Sequence, residues 1–153
     1  MDKQYALGIL GLGVMGRSLA QNFERNGYPV IGYDLAPRLP EGFNVKVTNS
    51  LQELTAALET PRAILLMVPA GDPVDKAVDS LKPYLEAGDI VIDGGNSYFP
   101  DTDRRVAALA ADGIQFVATH ASPGPGGVWL TYREAMSSTG IPDNRPPTLD
   151  AFS

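Results

Sequence analysis

Cysteine is absent from the chain, which excludes disulfides, thiolate catalysis and cysteine-ligated zinc together. A single histidine, His120, leaves no imidazole cluster for a metal. Positive charge is scarce: 12 Lys and Arg stand against 18 Asp and Glu, a net charge of −6. No broad cationic face exists to neutralise a phosphate backbone, so a nucleic-acid partner is not expected. Long apolar runs are missing as well. The longest, Ala63 to Val68, falls far short of the ~20 residues that cross a bilayer. The opening Met1-Asp2-Lys3 lacks a signal-peptide pattern. The expectation is a soluble cytoplasmic protein with no membrane partner.

What is present is ordinary for a folded chain: 153 residues, 44% hydrophobic, 20% charged and 8% aromatic. That length suffices for one hydrophobic core and not for two. Short β-prone apolar runs alternate with helical stretches through the first 120 or so residues, the rhythm of a parallel sheet flanked by helices. Strands are predicted at Tyr5–Leu10, Pro29–Tyr33, Val45–Val47, Ala63–Val68, Asp89–Ile92 and Ile114–Val117. Most are nearly continuous apolar runs, as suits strands buried on both faces.

Val14, Met15, Leu19 and Phe23 predict an apolar helix stripe, with the helix stopping at Gly27. Ser50-Leu51-Gln52-Glu53 reads as a capping box opening a helix through about Glu59, halted by Pro61. Val74 to Leu85 and Asp103 to Ala111 predict two more, closed by Gly88 and Gly113. After Ser122 prolines and glycines recur and periodicity fades, apart from a short helical stretch around Leu130–Ser137. Residues 1–122 are therefore expected to form the domain, and 123–153 an irregular Pro/Gly-rich tail.

The strongest motif is Gly11-Leu12-Gly13-Val14-Met15-Gly16, placed directly between the first strand and the first helix. In this context the first glycine permits a tight turn, the second admits a pyrophosphate to the backbone, and the third lets helix pack on strand. The helix N-terminus then offers free N–H groups and partial positive charge to phosphates. A second strand ending in Asp34 completes the fingerprint of a Rossmann-type doubly wound fold with helices on both faces of a mostly parallel sheet.

Asp34 is placed to accept hydrogen bonds from ribose hydroxyls and to repel a 2′-phosphate, which favours NAD over NADP. Arg38, four residues on, reads either as a charge offered to that phosphate or as a solvated loop cation. Met67-Val68-Pro69-Ala70-Gly71 and Asp93-Gly94-Gly95-Asn96-Ser97 each follow a strand at the sheet's carboxyl edge, where such folds bind ligands. Each also reads as a plain strand-to-helix turn. Arg104 and Arg105 suit a helix face or an anion site, and His120 a strand end or a general base.

Together these residues resemble the N-terminal coenzyme domain of 6-phosphogluconate dehydrogenases, within the β-hydroxyacid dehydrogenase superfamily. The likeness lies in Gly11 through Ala20, in Leu65 through Gly71, and most narrowly in Ile92-Asp93-Gly94-Gly95-Asn96-Ser97-Tyr98 with Asp101-Thr102 and Arg104-Arg105. The resemblance implies that Gly11, Leu12, Gly13, Val14, Met15 and Gly16 bind the dinucleotide phosphates. Asp34, Leu35 and Ala36 would meet the adenosine ribose, and Val68, Pro69 and Ala70 would lie along the nicotinamide half. Asn96 would touch both coenzyme and sugar phosphate, and Ser122 and Gly124 the substrate. The coenzyme is NAD or NADP, with the family more often using NADP. Members are homodimers that oxidise the C3 hydroxyl of 6-phosphogluconate by hydride transfer and then lose CO2, using a lysine base and a glutamate acid.

The chain departs from that family in three places. Its Val-Ser-Gly-Gly substrate loop appears as Ala121-Ser122-Pro123-Gly124, His120 stands where glycine is usual, and the last lysine is Lys82. The catalytic lysine and glutamate thus have no counterpart in this chain. Loss of resemblance after Gly124 is the pattern of a truncated, fused or frame-shifted product. The reading is the coenzyme domain of a decarboxylating 6-phosphogluconate dehydrogenase of the pentose phosphate pathway, inactive in isolation. Its rivals are a β-hydroxyacid dehydrogenase of the 3-hydroxyisobutyrate type and a non-catalytic dinucleotide-binding module.

Overall fold

Apolar runs too short for helices become the central strands of one parallel sheet. The computed structural model describes residues 5–95 and 99–118. Within them lie β1 (Leu7–Leu10), α1 (Val14–Arg25), β2 (Val30–Tyr33), β3 (Lys46–Val47), α2 (Leu51–Ala56), β4 (Ala63–Leu66) and α3 (Asp72–Leu81). A 3-10 turn (Lys82–Tyr84), β5 (Ile90–Asp93), α4 (Phe99–Ala110) and β6 (Gln115–Ala118) follow. The strand order is β3-β2-β1-β4-β5-β6 and every pairing is parallel. This is the Rossmann order, with its topological switch point between β1 and β4.

Successive strand residues feed opposite layers of core, as the two-residue period requires. Leu7, Ile9, Leu65 and Ile92 pack with Ala20 and Phe23 of α1. Leu10, Ile64, Leu66 and Val91 pack with Leu54 of α2, with Val74, Val78 and Leu81 of α3, and with Leu109 of α4. The sheet is therefore covered on both faces, and β1, β4 and β5 are buried along their whole lengths. No helix of the described residues is long and apolar enough to cross a membrane.

The amino ends of β4 and β5 are tied by a buried ion pair. Arg62 donates its backbone N–H to Asp89 Oδ1 at 2.7 Å and Nη1 to Oδ2 at 3.1 Å, while its Nε bonds the Thr55 carbonyl at 3.0 Å. Asp89 also accepts the Glu86 N–H at 2.8 Å. The pair is satisfied on several sides, the condition under which a buried ion pair is tolerated.

Several element boundaries differ from expectation. Helix α2 ends at Ala56 because the chain beyond it turns to bridge Tyr5, with the Tyr5 N–H on the Ala57 carbonyl and the Glu59 N–H on the Tyr5 carbonyl. Helix α3 stops at Leu81 and tightens into the 3-10 turn, since Pro83 lacks the N–H that another α-turn needs. Helix α4 begins at Phe99, earlier than the predicted Asp103, with Pro100 in its first turn, where proline is tolerated. Val14 and Met15 are 69% and 62% exposed, not part of an inward stripe. The buried face of α1 is Gly16, Ala20 and Phe23, an i, i+4, i+7 set fixed by the seating of Gly16 on the β1 turn. The 130–137 stretch and the domain boundary at 122 lie outside the described residues.

Candidate functional site

The glycine loop is built by three different constraints. Gly11 has φ +104°, and a Cβ there would stand 2.4 Å from the Met67 carbonyl oxygen. A Cβ on Gly16 would stand 1.9 Å from the Gly11 carbonyl oxygen, so only glycine lets α1 seat against the turn. Around Gly13, by contrast, a Cβ would meet nothing within 4 Å. Gly13 is also the N-cap of α1 and provides no side-chain hydrogen bond to it. A side chain at this N-cap would therefore stand in free space, and the first-turn N–H groups, which have no intrahelical acceptor, carry the positive end of the helix dipole there.

Asp34 braces this loop. Its Oδ2 accepts the Leu12 backbone N–H at 2.6 Å and its Oδ1 accepts the Ala36 N–H at 2.8 Å. The carboxylate thereby joins the end of β2 to the glycine turn. The bond consumes the Leu12 N–H, and the Leu12 side chain is buried against Gly32. Arg17 of α1 holds the segment after β2 from the other side, donating Nη1 to the Arg38 carbonyl at 2.9 Å.

Beside the loop a cleft of about 550 Å³ opens over the carboxyl ends of β1, β2 and β4. Of the residues singled out from sequence, Gly11, Gly13, Asp34, Leu35, Val68 and Pro69 line it. Leu12, Val14, Met15, Gly16, Ala36 and Ala70 are not among its lining. Val14 and Met15 stand exposed at the start of α1 and Leu35 is 90% exposed, leaving three large apolar side chains open to solvent around the glycine loop and the end of β2. Asn96, His120, Ser122 and Gly124 lie outside the described residues. The cleft is completed by residues that sequence reading missed, chiefly Tyr33, Leu51, Pro73, Lys76, Ala77 and Ser80. The last four follow i, i+3, i+4, i+7 spacing, one helix face; that period was a legible signal.

The β4–α3 loop is held from α4. Arg105, only 2% exposed, donates Nε to Asp75 Oδ1 at 2.9 Å and Nη2 to the Gly71 carbonyl at 3.1 Å. Arg104 reaches both Asp75 oxygens at 3.1 and 3.2 Å. The two guanidinium hydrogen bonds, Arg105 first, pull the Asp75 pKa down to about 2, and the same carboxylate raises that of Arg104. Both arginines thus engage the Asp75 carboxylate, Arg105 from a buried position and Arg104 from an exposed one.

A parallel sheet in this order, with a glycine turn opening a helix beside the switch point, defines a Rossmann-type dinucleotide-binding domain. The sequence pattern of one such family, the NAD binding domain of 6-phosphogluconate dehydrogenase, matches residues 6–130. The chain belongs to that family. A Haemophilus ducreyi protein named 6-phosphogluconate dehydrogenase, decarboxylating, is 47% identical over 129 residues, which cover 79% of this chain and 27% of the relative. The Escherichia coli protein of that name is 46% identical over 134 residues, covering 83% and 28%. The chain thus spans little more than a quarter of the curated relatives it matches.

Among solved structures, Plasmodium falciparum 6-phosphogluconate dehydrogenase superposes with a TM-score of 0.74 at 23% identity, covering 92% of this chain and 35% of that one, a likeness of fold. Mycobacterium tuberculosis 3-hydroxyisobutyrate dehydrogenase gives 0.68 at 25% identity, covering 84% and 43%.

Proposed function

We propose that residues 1–122 are the coenzyme-binding domain of a decarboxylating 6-phosphogluconate dehydrogenase and that 123–153 form no separate domain. The observation that carries the reading is the space around Gly13: the N-terminus of α1 meets a cleft where a side chain would fit but none stands. Phosphates of NAD or NADP would lie against the first-turn N–H groups of α1, with backbone at Gly13 approached closely. Asp34 and Leu35 would take the adenosine ribose, and Val68 and Pro69 the nicotinamide half. Val14 and Met15, exposed beside the loop, would gain an apolar partner in the bound coenzyme. When bound, the coenzyme supplies the hydride acceptor.

In the complete cytoplasmic enzyme, 6-phosphogluconate would be held by Asn96, Ser122 and Gly124. The 153-residue chain binds coenzyme and, lacking counterparts of the family's lysine base and glutamate acid, does not turn over. Absence of a general base alone removes ~10²–10⁴-fold in rate. The test is calorimetric titration with NAD and NADP, followed by 6-phosphogluconate and an assay for reduced coenzyme. Binding with no turnover is expected. Turnover would overturn the assignment of catalysis to residues elsewhere, and absence of binding would overturn the coenzyme reading.

A further inference from the structure

Among the described residues lining the cleft, two are charged: Asp34 on the β2 wall and Lys76 on the α3 wall. Asp34 spends one oxygen on the Leu12 N–H and the other on the Ala36 N–H. Lys76 makes no ion pair and no hydrogen bond through its ammonium among the described residues. Of the carboxylates nearest on its own helix, Asp75 is occupied by Arg104 and Arg105, while Asp72 and Asp79 pair with no described cation. Arg38, the cation that sequence reading set against Asp34, is not part of the cleft lining. Its backbone carbonyl is taken by Arg17.

We propose that Lys76 is a specificity-determining residue of the coenzyme cleft, placing a cation opposite Asp34 so that a 2′-phosphate on the adenosine ribose is admitted. The inference rests on the coenzyme reading above. Pro73, Lys76, Ala77 and Ser80 form one face of α3 and line the same cleft as Tyr33, Asp34 and Leu35. An adenosine entering there has the carboxylate on one side and a flexible four-carbon stem ending in an ammonium on the other. The stem covers apolar surface while the charged head reaches the rim. A ribose 2′-phosphate, repelled by Asp34 alone, then meets an unspent positive charge. Coenzyme choice becomes a contest between residues 34 and 76, which lie on different elements and are invisible to each other in the sequence.

The test measures affinities of the 153-residue chain for NAD and NADP, and for AMP and adenosine 2′,5′-bisphosphate as probes of the adenosine half. Lys76→Met keeps the stem and removes the charge. It is expected to weaken NADP and the bisphosphate about tenfold, a single charge interaction near a protein surface, while NAD and AMP change less than twofold. Lys76→Arg should restore the wild-type ratio. The NADP affinity of the wild type should also fall more steeply with salt than that of Lys76→Met. An unmoved NAD:NADP ratio, or equal weakening of all four ligands, would overturn the role of Lys76 while leaving the coenzyme site intact. A wild-type chain that binds none of the four would bring down both readings.

Discussion

A methyl group added at Gly16 would stand 1.9 Å from the Gly11 carbonyl oxygen, whereas one added at Gly13 would meet no atom within 4 Å. The fold therefore requires glycine at position 16 and leaves room for a side chain at position 13. Gly16→Ala is expected to destabilise the chain by ~1–3 kcal/mol or more through overpacking. Gly13→Ala should stay within ~1 kcal/mol of wild type, yet weaken coenzyme binding by at least roughly tenfold because the methyl occupies the phosphate approach. Urea unfolding and calorimetry on both variants separate the effects. At Asp34 the amide of Asp34→Asn removes the charge and keeps one acceptor for the loop N–H groups. The NAD:NADP affinity ratio is expected to move roughly tenfold toward NADP. An unchanged ratio would refute any part for Asp34 in coenzyme choice.

At the scale of elements, α3 and α4 are clamped through Asp75, and the clamp gives a pH signature. The carboxyl titrates at about 2 in the folded chain against an ordinary 3.8. The unfolded chain therefore binds more protons between those values, so the contribution of Asp75 is complete above about pH 4 and is lost as pH falls toward 2. Wild type should exceed Asp75→Asn in stability at neutral pH, and the gap should close over that acid window; a gap constant down to pH 2 would contradict the assignment.

The strands and the glycine turn were legible in sequence because short apolar runs and fixed glycine spacings are local signals. The rotation of α1 was not. Leu19 and Phe23 did suggest a stripe, but Gly16 sets the helix orientation through a contact with its own turn that turns Val14 and Met15 outward. The α3 wall of the cleft was missed for a related reason. Lys76 and Ser80 share one cleft with Tyr33, Asp34 and Leu35 only once the sheet is assembled, a juxtaposition more than 40 positions apart in sequence. Likewise the bond from Leu12 to Asp34 spans 22 positions and leaves no trace in composition or period.

Over the whole molecule the two ends of the sheet have separate duties. The amino end is closed by the buried Arg62–Asp89 pair, and the carboxyl end carries the glycine loop and the cleft. That division gives the central claim a site-resolved test: amide chemical shifts of the 153-residue chain followed by NMR during titration with NAD. Saturable shifts at Gly11, Gly13, Leu35 and Val68, with Arg62 and Asp89 unmoved, are the predicted result. Shifts absent from the glycine loop, or centred at the amino end of the sheet, would contradict it.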